Sequence, residues 1–221
     1  MNENQNLNNF GGAKDSFNVQ KATWLLDELS LSYDWRPAGG RFGGLDEPTF
    51  LAMNPHGRVP LLLDGDEAIW ESHTIVRYLA DAYGGGRFRP SDPLARSLED
   101  RWMDWMLATL QPDFLTGVFW AYYRTPEHER QWDGIRRKVS SCADHVRLLD
   151  RQLADREFLC GDRLSVADIA VGVTCYRYYE LDIERPHAPN VERWYGALQQ
   201  RPPYQRNVML PFSNMKGRLN Y

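Results

Sequence analysis

A chain of 221 residues, 43% of them apolar and eight of them tryptophan, can bury one large core or two small ones. Its net charge of −4 argues against a nucleic-acid surface or a polybasic membrane patch, and no apolar run approaches the roughly 20 residues that span a bilayer. Three cysteines (Cys142, Cys160 and Cys175) lack CxxC spacing, and five histidines lack metal-ligand spacing. Three buried thiols in a reducing, cytoplasmic compartment are expected, with no disulfide framework and no metal. The opening MNENQNLNN has neither the basic start nor the apolar stretch of a secretory signal.

In chain order, QNLNNF offers only a weak strand, because asparagine is a poor strand former. Val19, Ala22, Leu25, Leu26 and Leu29 then recur at helical spacing, behind a polar entry holding Asp15, Ser16 and Asn18. LSYDWRP predicts a short strand. AGGRFGGLDEPTF is a glycine-rich loop without phosphate-loop spacing, followed by a helical turn at residues 50–53. RVPLLLDGDEAIW predicts a hairpin about Asp64-Gly65-Asp66. Pro60 lacks the N–H of a central strand residue, so it marks a strand start, an edge or a special turn. ESHTIVRYLADAYGGG is an amphipathic helix closed by glycines. This order describes a small α/β layer domain of about 80 residues.

Residues 84–93 have linker composition, and everything beyond is helical, with a kink or break expected near Pro112. The second domain is therefore all-α, giving boundaries of 1–83, 84–93 and 94–221. Within it, Leu164-Ser165-Val166-Ala167-Asp168-Ile169 spells a helix start in which Ser165 and Asp168 form a capping box.

Three segments, SFNVQKATWLLDELSLSYD, NPHGRVPLLLDGDEAIWESHTIVRYLADAY and FLCGDRLSVADIAVG, lie in order and resemble the cytosolic glutathione S-transferases. The similarity is to the bacterial branch with serine or threonine at the first helix (theta- or nu-like). It implies an α+β two-domain fold, a thioredoxin-like N-terminal domain followed by an all-helical bundle, usually as a homodimer. Glutathione is then the co-substrate, conjugated to a small hydrophobic electrophile.

Carried over residue by residue, the resemblance makes Arg58-Val59-Pro60 a cis-proline turn. The Val59 backbone is then free to pair with the cysteinyl part of glutathione; the alternative is a plain edge-strand proline. Glu71 and Ser72 open the third helix, where exposed amides and the dipole suit the γ-glutamyl carboxylate and Glu71 suits its ammonium. Alternatively, Ser72 only caps the helix. His73 carries no implied role and is expected to be solvated.

Ser16 is the implied catalytic donor to the glutathione sulfur, supported by Asn18. Bringing a thiol from a pKa near 8.5 into the neutral range takes roughly 2.7 kcal/mol, so the first helix's dipole is expected to assist. Asp15 would oppose the thiolate unless it turns away to cap that helix. Trp105, Phe119, Trp120, Tyr123 and Tyr176, with Tyr122 and Tyr179, are candidates for the electrophile pocket, although such a stripe is also the pattern of core or dimer interface. Two other functions remain open: a glutathione-dependent disulfide or peroxide reductase on the same site, and a non-catalytic binding protein of this fold. No cysteine precedes residue 142, which disfavours a mixed disulfide on the protein itself.

Overall fold

The computed structural model describes residues 6–219; the first five residues of the opening segment lie outside them. The N-terminal unit runs β1 (Asn6–Gly11), α1 (Phe17–Glu28), β2 (Ser32–Arg36), α2 (Pro48–Met53), β3 (Leu61–Asp64), β4 (Glu67–Trp70) and α3 (Ser72–Tyr83). Its strands lie in the order β2-β1-β3-β4, with β1 and β2 parallel and the other pairs antiparallel. The asparagine-rich first strand does form, but its register against β2 slips between Leu7 and Phe10. That irregularity fits residues with little intrinsic strand preference.

α1 and α3 pack side by side, and Val19, Ala22 and Leu26 of the one and Ile75, Val76 and Leu79 of the other are all buried. α1 is buried on almost every side from Val19 to Leu26, as expected of a helix caught between two layers. Its outer face meets the helical domain. Trp24 packs edge-on against Tyr204 at 4.7 Å and approaches Gly172, where an added Cβ would come within 3.2 Å of the indole. Glu28 accepts both a hydrogen bond from Trp24 Nε1 (2.9 Å) and a bidentate pair from Arg201 (2.7 and 2.6 Å).

The linker ends one residue earlier than expected, since Asp92 caps α4 (Pro93–Trp105) by accepting from the Ala95 amide at 2.8 Å. The chain does not break at Pro112. Instead the helix widens to π winding over Met106–Leu110 and Pro112–Arg124, which accommodates a residue that cannot donate to the ladder. Then follow α5 (Trp132–Gln152), α6 (Val166–Glu180), α7 (Pro189–Gln199) and α8 (Pro202–Asn207).

α6 is the central helix of this domain, buried from Val166 to Cys175 and again at Arg177 and Tyr178. The Ser165–Asp168 box is present at its start. Asp168, fully buried, also accepts from the Leu159 amide (2.9 Å) and Trp194 Nε1 (3.0 Å), tying three segments to one carboxylate. Among the described residues, no helix is long and apolar enough to cross a membrane, and no group of His, Cys, Asp and Glu could hold a metal ion.

Candidate active site

The sheet register brings the sequence-predicted residues to one end of the domain. Gly11, the last residue of β1, pairs with Leu61, the first of β3, and Leu61 also pairs with Trp70, the last of β4. The chain therefore leaves the sheet at this one edge three times: forward into Gly12–Ser16, backward into Val59–Pro60, and forward into Glu71–Ser72. Gly12 is needed for the first exit, because an added Cβ would lie 2.5 Å from Val19 Cγ2.

The Val59–Pro60 bond is cis. Its turn is held by the buried Asn54, whose Nδ2 donates to the Arg58 carbonyl at 2.6 Å and whose Oδ1 accepts from the His56 amide at 3.0 Å. Among the described residues, neither the N–H nor the carbonyl of Val59 takes a hydrogen-bond partner. Arg58 is exposed. Glu71, not Ser72, occupies the N-cap of α3 and does so at φ +69°, a left-handed conformation that costs a non-glycine residue about 1–3 kcal/mol. Ser72 is the first helical residue and is buried. Sustained backbone strain at an exposed acid is a feature that helical periodicity cannot show.

Ser16 occupies the N-cap of α1 with extended backbone angles (φ −73°, ψ 125°), and its side chain makes no capping hydrogen bond. Its carbonyl starts the helix by accepting from Gln20, while its amide donates to Ala13 at 2.8 Å. The cap position thus belongs to Ser16 rather than Asp15, and the hydroxyl is left uncommitted at the positive end of a twelve-residue helix. Asp15 is tied through its backbone: its carbonyl accepts from Arg177 Nη2 of α6 at 2.5 Å. Arg177 is itself buried, with its guanidinium over the rings of Phe17, Phe119 and Phe212 at 5.7, 4.6 and 5.8 Å. A cation of the helical domain is therefore placed at the residue before Ser16, which offsets the carboxylate that the sequence puts there.

In the first turn of α1, Asn18 accepts at Oδ1 from Lys21 Nζ (3.1 Å). Lys21 is fully buried and reaches two further partners, His73 Nε2 of α3 at 3.0 Å and Gln111 Oε1 of the helical domain at 2.8 Å. Burial pushes the Lys21 ammonium down to about 7, against the favourable pull of Glu71. His73 is not solvated as the sequence suggests. It lies in the interior, held down to about 2 by burial and then by the charges of Lys21 and Arg77, and is neutral. Its face of α3 looked free only because the facing lysine comes from 52 positions earlier.

Beside this edge opens a cleft of about 570 Å³, lined by Lys14, Asp15, Trp35, Arg41, Phe42, Leu210, Pro211, Ser213 and Asn214. None of the aromatic candidates from the sequence lines it. Phe119, Tyr123 and Tyr176 instead gather around Phe212 at 5.6, 5.1 and 5.8 Å, backing the segment that forms the cleft wall. Trp120 lies under the Arg124 guanidinium at 4.0 Å, and Trp105 packs on Trp102 and His145 at 5.3 and 5.5 Å. Tyr122 and Tyr179 contact Trp132 and Tyr195. Arg177 was missed although it is a charge inside the apolar run of α6, and Lys21 although it falls on the apolar face of α1; those two mismatches were the available signals.

The thiols offer no nucleophile. Cys142 and Cys175 are buried, Cys160 is half-buried rather than buried as expected, and burial raises all three, Cys142 and Cys160 to about 12.

A mixed four-stranded sheet with a cis-proline turn, docked through α1 onto a helical bundle, defines a class of two-domain protein. Known proteins specify the class further. Residues 11–87 match the family model for the glutathione S-transferase N-terminal domain and residues 125–197 that for the C-terminal domain. Glutathione S-transferase GstB of Escherichia coli K12 is 39% identical over 204 residues, covering 91% of this chain and 98% of the relative. Glutathione S-transferase 3 of Zea mays is 29% identical over 203 residues, covering 86% and 88%. Among solved structures, the theta class glutathione S-transferase of Xanthomonas axonopodis pv. citri with glutathione bound is 40% identical, with a TM-score of 0.87 over 92% of this chain and 97% of that one. The chain belongs to the glutathione S-transferase family.

Proposed function

We propose that the chain is a glutathione transferase in which the Ser16 hydroxyl donates to the glutathione sulfur and holds it as thiolate for attack on a hydrophobic electrophile. The observation that carries the assignment is the uncommitted Ser16 hydroxyl at the N-cap of α1, on the sheet edge where the Val59 turn and the Ser72 helix start also emerge. The sulfur-bearing residue of the tripeptide pairs with the unengaged Val59 backbone, flanked by Arg58 and Pro60. The γ-glutamyl carboxylate sits on the amides opening α3 with Ser72, and its ammonium meets Glu71. Asn18 adds an uncharged N–H donor near the sulfur. The electrophile enters the 570 Å³ cleft against Trp35, Phe42, Leu210 and Pro211, and the enzyme supplies position and a low-pKa nucleophile rather than a covalent intermediate. The aromatic group around Phe212, with Phe119, Tyr123 and Tyr176, shapes that wall from behind.

The theta class relative's bound glutathione supports glutathione as co-substrate. A cytoplasmic homodimer is part of the same reading, and Leu94 and Leu98, exposed one turn apart on α4, are apolar surface such a dimer would cover. The test is turnover of a halogenated nitroarene with glutathione by the wild type and by Ser16→Ala. A loss of about 100-fold in kcat/KM with glutathione-affinity retention supports the assignment, on the scale of removing one preorganised donor. Equal turnover by the two proteins refutes it.

A further inference from the structure

The most unusual interior group in the molecule is the ammonium of Lys21. Among the described residues it lies in no ion pair; it is completely buried, and it stands where the two active-site helices and the helical domain meet. Ion pairs normally accompany a buried charge; here three uncharged acceptors do, one for each N–H that an ammonium owns. Asn18 comes from α1, His73 from α3 and Gln111 from the helical domain, and the Phe17 ring lies 5.2 Å from Nζ.

The direction of these bonds has a chemical consequence. An ammonium can only donate, so Asn18 must turn its Oδ1 inward to Lys21. Its Nδ2, the only donor end of that side chain, is then directed away from the lysine. An asparagine left to itself presents either end, and with the oxygen outward it would repel a thiolate rather than bind it. While Lys21 is charged, His73 Nε2 accepts from it, which leaves the imidazole proton on Nδ1, a buried atom with no partner among the described residues. His73 immediately follows Ser72, so one cation braces the sulfur-binding helix against the glutamyl-binding helix.

We propose that Lys21 is a positioning residue for the thiolate: its buried ammonium orients the Asn18 amide toward the sulfur and clamps α1, α3 and Gln111 into one assembly, while adding positive charge beneath the site. This rests on the assignment of Ser16 and Asn18 to the glutathione sulfur. On the α3 side, the N-cap carboxylate Glu71 acts on Lys21 and His73 accepts from it, while Arg77 acts on His73. α1 contributes Asn18 and Phe17, both uncharged; the helical domain contributes the uncharged Gln111 and, on the same Phe17 ring at 5.7 Å, the guanidinium of Arg177. Of these, the Glu71 carboxylate favours the charged lysine, so glutathione's ammonium, by engaging Glu71, competes with Lys21 for the same charge. The clamp is consequently sensitive to pH near neutrality, where burial has brought the lysine.

The experiment is ultraviolet difference titration of bound glutathione in the wild type, Lys21→Met, Lys21→Arg, Asn18→Ala and the Lys21→Met/Asn18→Ala double variant. Lys21→Met is expected to move the thiolate midpoint up by about one pH unit, a tenfold loss of thiolate below it. kcat at pH 6.5 should fall by about tenfold, while KM for glutathione stays within about twofold. Lys21→Arg should recover part of the shift, and the double variant should be no worse than the poorer single one, because the lysine acts through the asparagine. Where Lys21→Met does not fold, Lys21→Ala, which likewise removes the donor, is read in the same way. A folded Lys21→Met (or Lys21→Ala) variant with an unmoved midpoint, or strictly additive effects in the cycle, overturns the proposal and leaves the Ser16 assignment standing. A wild type whose bound glutathione shows no thiolate band overturns the Ser16 assignment itself.

Discussion

Two helices of this molecule carry a serine at the N-cap, and the two serines are used in opposite ways. At the start of α6, Ser165 is buried and gives both its amide and its hydroxyl to Asp168 Oδ2, at 2.9 and 2.7 Å. At the start of α1, Ser16 holds the same cap position, half-exposed, with its hydroxyl unengaged in any cap. The difference lies three residues on. Position N3 of α6 is Asp168, which can reciprocate, whereas N3 of α1 is Val19, which cannot. A helix start completed by its own side chains is a folding device. One left open, at a sheet edge beside a cleft, has a dipole and a hydroxyl to offer a ligand.

The contrast can be broken most forcefully at Asp168. Replacing it by Ala strips a partner from the Ser165 and Leu159 amides and from Trp194 Nε1 at once, all of them buried. We expect a loss of about 3–5 kcal/mol in denaturant unfolding, with glutathione affinity of the folded fraction unchanged. A loss below about 1 kcal/mol would deny that this junction anchors the domain.

Glu99 of α4 sharpens the same region through pH. Burial pushes its carboxyl up to about 7, with Asp168 and Asp100 adding to the shift and Arg89 opposing it. Its folded value lies above its unfolded one, so its contribution is fully present below about 4.5 and fades as pH rises through about 7. Glu99→Gln should therefore become progressively more stable relative to wild type from pH 5 to pH 8. Parallel stability curves for the two proteins would contradict this.

Smallest in size, and most specific to the comparison, are the two serines themselves. Ser165→Ala should cost about 1 kcal/mol as the loss of a cap partner. Ser16→Ala, which removes no capping bond, should cost less than about 0.5 kcal/mol. Paired urea melts suffice, and equal losses would erase the distinction between the helix starts.

How legible this was in the sequence depended on range. The capping box was readable because Ser165 and Asp168 are three residues apart. The hairpin was readable because Asp64-Gly65-Asp66 is local, and Pro60 because the backbone chemistry of proline is its own. The sulfur and glutamyl residues needed the family resemblance to single them out, since a serine at a helix start is ordinarily a cap. The partners of Lys21, His73 and Arg177, and the cleft, were not readable. Lys21 is completed by Gln111, ninety positions away, and Asp15 by Arg177 at a separation of 162. The cleft is walled by Trp35 and Phe42 from one domain and Leu210, Pro211, Ser213 and Asn214 from the far end of the chain. The predicted aromatic stripe is real as a helical pattern, but domain docking turned Phe119, Tyr123 and Tyr176 toward Phe212 and left the cleft to other residues.

The central claim is that the open cap at Ser16 holds a thiolate. The direct measurement is the pH titration of the thiolate absorbance of bound glutathione in wild type and Ser16→Ala. The account predicts a wild-type midpoint at least one pH unit below the free thiol's value near 8.5, returning to within about 0.5 unit of it when the hydroxyl is removed. The same low midpoint in both proteins, with glutathione bound to each, would contradict it.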